Sequence, residues 1–239
     1  MLLTEEQTMI SDMAKNFAMN ELRPNAARWD KEGNLDRSKL EALGELGFGG
    51  IYTTEEHGGS GLTRLDAALI FEQLSRGDIS HAAFLSIHNM ATWMIDTFAH
   101  DQLRAKYVPR LTATELIASY CLTEPGAGSD LASLQTRAVD DGDDFVVNGQ
   151  KVWTSLAHKA HYCILVVRTD PDAPKHKGLS YLLVDMHSPG VTVRPLVQIS
   201  GDADFNEVFF EDVRVPKANM VGERNQGWQV AITTLMFER

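Results

Sequence analysis

The stretch Tyr120-Cys121-Leu122-Thr123-Glu124-Pro125-Gly126-Ala127-Gly128-Ser129-Asp130 constrains the fold of this chain more than any other. An apolar run breaks there into a glycine-rich turn dense with hydroxyls and carboxylates. Upstream, apolar residues recur at spacings of three and four, which places one stripe on a helix face. Downstream they fall into short blocks separated by Asp, Pro and Gly, which suits strands joined by turns. The change of period at this point implies an α+β multidomain fold: an all-α unit, then an antiparallel β unit of barrel or sandwich type. A changeover turn carrying Thr123, Glu124, Ser129 and Asp130 is a plausible floor for a polar cofactor.

In the helical part, Thr4 with Gln7 three positions on is a capping-box pattern, which satisfies free amide donors where a helix starts. Met9, Ile10, Met13 and Phe17 continue it, so a first helix is expected from about residue 5 to the low twenties, closing near Pro24. Residues 38 to 46 read as a short second helix ending at Gly47. The loop His57-Gly58-Gly59-Ser60-Gly61 lacks the lysine of a phosphate-binding P-loop and reads as a connector. A second capping box, Thr63 with Asp66, opens a helix to about Arg76, and residues 80 to 98 continue helical with His88 as a core histidine. A last helix is expected over 101 to 109, stopped by the restriction that precedes Pro109.

From Ala118 onward, Asn148-Gly149 between Asp144–Val147 and Gln150–Trp153 predicts a two-residue hairpin turn, because Asn-Gly supplies the positive φ angles such a turn needs. Cys163 to Val167, Leu179 to Val184, Val191 to Leu196 and Asn206 to Val213 follow as short strands. From Trp228, apolar residues return to helical spacing, as at the first helix of a C-terminal bundle. The expected division is 1–115 helical, 116–222 β, and 223–239 the start of a helical domain, the chain reading as a fragment of a longer protein.

Lys plus Arg number 22 against 33 Asp plus Glu, a formal net charge of −11, and no long basic run relieves it. Nucleic acid and anionic membrane are therefore excluded as main partners, since binding them depends on clustered positive charge. Cys121 and Cys163, each in an apolar strand-like run, read as buried free thiols of a reducing compartment. His158 and His161 stand three apart with no further His or Cys close in sequence, so no metal site is expected there. The start, Met1-Leu2-Leu3-Thr4, has neither a basic segment nor a long apolar one, and the expected location is cytoplasmic, with the mitochondrial matrix as the alternative for a mature form.

The order of these units, with Tyr120 to Asp130, resembles the acyl-CoA dehydrogenase family over the whole chain. Lys151-Val152-Trp153-Thr154-Ser155 is similar to that family's second flavin-contacting strand, and Phe209 to Pro216 to its last β strand. Gly222 to Trp228 resembles the turn that enters its C-terminal bundle. Ser86-Ile87-His88-Asn89-Met90 and Leu46-Gly47-Phe48-Gly49-Gly50 look most like the branched short-chain, isobutyryl-CoA type of member, while Asn225 to Arg239 looks more like long-chain or uncharacterised bacterial members.

The resemblance implies α,β-desaturation of an acyl-CoA thioester with FAD as cofactor. It places Tyr120, Leu122, Thr123, Gly128, Ser129, Trp153, Thr154 and Ser155 at the flavin, with Ser129 also toward the CoA substrate. In most members of the family the catalytic base lies far along the C-terminal bundle, beyond this sequence, and Glu238 and Arg239 would then be a solvated or structural pair. Leu235-Met236-Phe237-Glu238-Arg239 also matches the arrangement in which the base lies on the first helix of the bundle, making Glu238 the candidate base and Arg239 a candidate substrate-binding residue. It further implies a homotetramer and an electron-transfer flavoprotein as electron acceptor. Acyl-CoA oxidases and flavin monooxygenases share this fold and are the alternative enzyme reading. A truncated, non-catalytic chain that binds flavin or a partner is the other.

Overall fold

A computed structural model of the chain describes residues 2–237. The chain divides into two compact units, one built from the residues up to Trp93 with Val108–Glu115, the other from Met94–Tyr107 with the residues from Leu116 onward.

Helices α1 (Glu5–Phe17), α2 (Ala26–Glu32), α3 (Arg37–Glu45) and α4 (Arg64–Gly77) belong to the first unit, and α5 (Ile79–Phe98) and α6 (Asp101–Thr112) begin or end in it. Both capping boxes form: Thr4 Oγ1 accepts from Gln7 N at 3.1 Å, and Thr63 N donates to Asp66 Oδ2 at 2.9 Å. Gln7 also donates to Asp66 Oδ1 at 3.0 Å, so the two helix starts hold each other. Beyond Phe17 the first helix widens to a π-helical turn, Ala18–Leu22, which carries it to the expected low twenties. The segment 59–62 doubles back on 50–54 through Ser60 N to Gly50 O, Gly61 N to Thr53 O and Leu62 N to Ile51 O. The glycine-rich loop is thus a connector. His88 is fully buried and donates from Nε2 to Leu111 O at 2.9 Å, the arrangement of a core histidine.

Two local expectations fail in this part of the chain. Helix α2 escapes a search for apolar period because it has only seven residues and buries Trp29 alone. Helix α6 does not stop before Pro109 but runs through it to Thr112. A proline inside a helix removes one amide donor and crowds the preceding turn. Here Val108 and Leu111 on either side are buried, and their burial outweighs the local preference.

The second unit carries β1 (Ala118–Cys121), β2 (Arg137–Asp141), β3 (Asp144–Ser155), β4 (Tyr162–Arg168), β5 (Leu179–Asp185), β6 (Val191–Leu196), β7 (Phe205–Pro216), β8 (Met220–Val221) and helix α7 (Gly227–Phe237). The sheet runs β6-β7-β3-β2-β4-β5-β8, with β1 added to β4. Pairing is parallel for β1 with β4 and for the single β2–β4 contact, and antiparallel for the other pairs. The central strands β4 and β5 are almost wholly buried, and form the core with Phe145, Val147, Val208 and Phe210. Helix α7 packs on β5 and groups with this unit.

The expected hairpin at Asn148-Gly149 is a correction. Both residues lie inside the continuous twelve-residue strand β3, and the turn to β2 falls at Gly142-Asp143 instead. What the Asn-Gly pair marks is an irregularity: Asn148 faces both Glu211 and Asp212 of β7, which bulges with Asp212 at φ 51°. Asn148 Nδ2 donates to Asp212 Oδ1 at 2.9 Å and Asp212 N donates back to Asn148 Oδ1 at 3.0 Å. Gly149 is required by close approach, since a Cβ there would stand 2.4 Å from Thr136 Oγ1 and 2.6 Å from Thr136 Cα.

Candidate active site

A second bulge on the same strand builds one wall of the site. Between the pairs Lys151↔Val208 and Thr154↔Asn206, two residues of β3, Val152 and Trp153, oppose the single Glu207. The extra residue turns the backbone, and Trp153 adopts φ 61°. Positive φ is uncommon for a bulky residue, and such positions gather where a side chain must be aimed for function. Trp153 is aimed outward, 59% exposed, its ring edge-on to Phe205 at 5.9 Å. Leu156 is also left-handed at φ 50°, so Ser155 lies between two backbone turns. Asn206, fully buried, holds the segment by donating from Nδ2 to Thr154 O at 3.0 Å.

The facing wall is the turn after β1. Glu124 and Ala127 exchange two backbone hydrogen bonds of 3.1 Å around Pro125-Gly126. Proline at the first central position fixes the φ such a turn needs. The turn is tied to β3 by Val152 N donating to Thr123 O at 2.8 Å. Behind it, Lys151 Nζ bonds Glu124 Oε1 at 2.8 Å and Leu122 O at 3.0 Å, while Gln135 N and Thr136 N donate to the two Glu124 oxygens at 2.6 and 2.9 Å. Lys151 is fully buried and Glu124 nearly so. Burial alone would raise the Glu124 carboxyl; the Lys151 charge and the hydrogen bonds from Lys151, Thr136 and Gln135 overcome it and hold the pKa below its ordinary value. Burial lowers the Lys151 ammonium, and Glu124 opposes that shift only in part.

Between the walls lies a cleft of about 460 Å³ bordered by Tyr120, Leu122, Thr123, Gly128, Ser129, Trp153 and Ser155, together with Leu131, Val152, Trp228 and Leu235. The volume falls within the range of small-molecule sites. Of the residues singled out in sequence for the cofactor, the structure brings all but one to this cleft. Thr154 points the other way: it is buried and donates from Oγ1 to Cys121 Sγ at 3.6 Å. The bulge explains it: with one extra residue inserted at Val152-Trp153, the inward positions of β3 fall at Lys151 and Thr154, three apart instead of two. Of the two carboxylates of the turn, Glu124 is bound to Lys151, and Asp130 pairs with Lys175 at 2.5 Å on the surface. Glu238 and Arg239 lie outside the described residues.

Four lining residues were missed in sequence. Leu131 and Val152 lack any chemical signal, and Trp228 and Leu235 read as core positions of an amphipathic helix. Their separation of seven, two helical turns, was the available clue that α7 turns one face to the cleft. The start of α7 is fixed by Thr169 Oγ1 donating to Asn225 Oδ1 at 2.6 Å and by Asn225 N donating to Ser180 Oγ at 2.8 Å. Trp228 lies against His176, ring centres 4.5 Å apart. Cys121 and Cys163 are buried free thiols behind the cleft. His158 meets Asn206 Oδ1 through Nδ1 at 3.1 Å, while His161 Nδ1 accepts from Ile117 N at 3.1 Å. Among the described residues no helix is long and apolar enough to cross a membrane.

Residues 4–115 match the acyl-CoA dehydrogenase N-terminal domain and residues 119–213 the acyl-CoA dehydrogenase middle domain. The chain is 43% identical over 235 residues to the mitochondrial isobutyryl-CoA dehydrogenase of Dictyostelium discoideum, covering 98% of this chain and 56% of that protein. Among solved structures it is similar to a glutaryl-coenzyme A dehydrogenase in complex with glutaryl-CoA, with a TM-score of 0.94 at 31% identity over all of this chain and 62% of that one. It is also similar to an FAD complex of PigA, with a TM-score of 0.93 at 27% identity, again over all of this chain and 63% of that one. The chain thus spans little more than half the length of the curated relative. Two domain matches in tandem, covering most of the sequence, show that this chain belongs to the acyl-CoA dehydrogenase family.

Proposed function

We propose that the chain forms the flavin-facing part of an FAD-dependent acyl-CoA dehydrogenase that introduces an α,β double bond into a short or branched acyl-CoA thioester. The observation that carries this is Trp153, a large ring held outward by a left-handed bulge and facing a turn of small and hydroxyl residues across the cleft. FAD is the cofactor indicated by the family, and PigA on the same fold is an FAD complex.

The residues present fit such a cofactor. Gly128 borders the cleft with φ outside the left-handed range, and a Cβ there would meet nothing within 4 Å, so neither conformation nor packing requires glycine. Its absent side chain leaves backbone open to a ligand at close range. Trp153 offers a flat face, and Thr123, Ser129 and Ser155 offer hydroxyls at the rim. Donors fixed in a folded wall can hold the polar edge of a flavin ring without reorganising.

When bound, FAD supplies the acceptor for the hydride that leaves the β carbon. The chain's own task is then to hold the thioester, stabilise charge on its oxygen and take the α proton. Glu238, three positions after the cleft residue Leu235, is the proposed base, with Arg239 toward the substrate and Ser129 toward the CoA side. The branched acyl preference follows the named activity of the D. discoideum relative. Tetramer formation, electron transfer to an electron-transfer flavoprotein, and a reducing compartment, cytoplasm or mitochondrial matrix, are proposed on family membership and on the two buried thiols.

The test is to purify the chain, titrate it with FAD and record the visible spectrum, then add isobutyryl-CoA without oxygen. A flavin spectrum bleached by the thioester is the expected result. A chain that takes up no flavin refutes the proposal. Peroxide formed under air without another acceptor replaces the dehydrogenase reading by an oxidase one.

A further inference from the structure

We propose that the buried Glu124–Lys151 pair is a positioning device that sets the two walls of the cleft in register, and through them the affinity for flavin. The flavin part rests on the function proposed above; the register part does not.

Three consecutive residues of the turn are bound to two consecutive residues of β3. Leu122 O meets Lys151 Nζ at 3.0 Å, Thr123 O meets Val152 N at 2.8 Å, and Glu124 Oε1 meets Lys151 Nζ at 2.8 Å. The residue after this zipper is Trp153. On its other side, Glu124 closes the loop that follows it by accepting from Gln135 N and Thr136 N. Gly128, Ser129 and Leu131, all bordering the cleft, belong to that loop. One carboxylate therefore staples both ends of the first wall, and one ammonium fastens it to the second.

Stability does not account for the pair. Taking two charges out of water costs several kcal/mol per ion, and apolar residues of similar volume fill such a site as well or better. A pair in which Glu124 binds three groups and Lys151 two specifies geometry instead: an apolar substitute would fill the volume and leave 122–124 held to β3 by the Val152 N–Thr123 O bond alone. Neither side chain borders the cleft, so the pair acts through Thr123, Gly128, Ser129 and Trp153.

The test compares the full chain with Glu124→Gln, Lys151→Met and the double variant, by thermal midpoint, amide hydrogen exchange and FAD titration. Each single variant leaves a buried charge without its partner and lowers the midpoint; the double variant removes both charges and recovers most of it. The proposal expects exchange at residues 122–131 and 152–156 to quicken by at least about tenfold in the double variant despite its recovered midpoint. FAD affinity should fall by about tenfold or more, because the walls are no longer preorganised. A double variant with wild-type exchange in both segments overturns the proposal and makes the pair a filler of volume. If the unmodified chain takes up no flavin, the proposed function fails, and exchange alone decides the role of the pair.

Discussion

Position 153 offers a sign test of the bulge on which the proposed function rests. In an ordinary strand, glycine is less stable than alanine by about 0.5–1 kcal/mol, because it gives up more backbone freedom on folding. At a left-handed position the order reverses, since a residue with a Cβ costs about 1–2 kcal/mol there and glycine does not. With Trp153 at φ 61°, Trp153→Gly should be more stable than Trp153→Ala by about 0.5–1 kcal/mol. Both variants lose the same ring. Because that ring is 59% exposed, the buried share is about 100 Å², and its loss costs both at most about 2.5 kcal/mol. Urea unfolding of the two variants, with Val139→Gly and Val139→Ala as reference, reads the difference directly. Val139 is an exposed residue of β2 that is not among those with positive φ, so alanine should win there. Alanine winning at 153 as well would refute the left-handed backbone, and with it the account of how the indole is aimed. FAD titration of the same pair should show equal weakening, as neither carries the ring.

Two further expectations concern the walls. Gly149→Ala forces a Cβ into Thr136 and should cost about 2–3 kcal/mol in urea unfolding, at the upper end of overpacking. Gly128→Ala meets open space, should change stability by less than about 0.5 kcal/mol, and should weaken FAD by narrowing the cleft. Equal effects of the two on stability would refute the assignment of one to close packing and the other to the cleft. The Glu124 carboxyl, held below its ordinary value of 4.5, binds its proton less readily in the folded chain than in the unfolded one. Its contribution is complete above about pH 4.5 and is lost as pH falls through the lower, folded value. The gap in urea midpoint between the chain and Glu124→Gln should therefore shrink on acidification below that pH, and a gap that widens there would be the wrong sign.

Several features of the fold and site were legible because each is local. Capping boxes at Thr4 and Thr63, apolar period and the Pro-Gly turn each follow from residues within four positions of one another. What local rules misread was decided by distant partners. Pro109 stays inside α6 because Val108 and Leu111 are buried, and Asn148-Gly149 is part of a strand because β2 and β7 pair with it on both sides. Thr154 was set beside Trp153 and Ser155 by a motif that says which residues are adjacent but not which way each points. The bulge at Val152-Trp153 decides that, and no residue type announces it, since tryptophan is not a residue that prefers positive φ. Glu124 shows the limit most clearly. In sequence it is one more carboxylate in a polar turn, indistinguishable in chemistry from Asp130. In the fold one of them is buried on Lys151 and the other faces solvent beside Lys175, and only the register between β3 and the turn makes the difference. A glycine-rich polar turn therefore marks where a cofactor is held, while the groups that hold the turn itself must be looked for on the strand behind it.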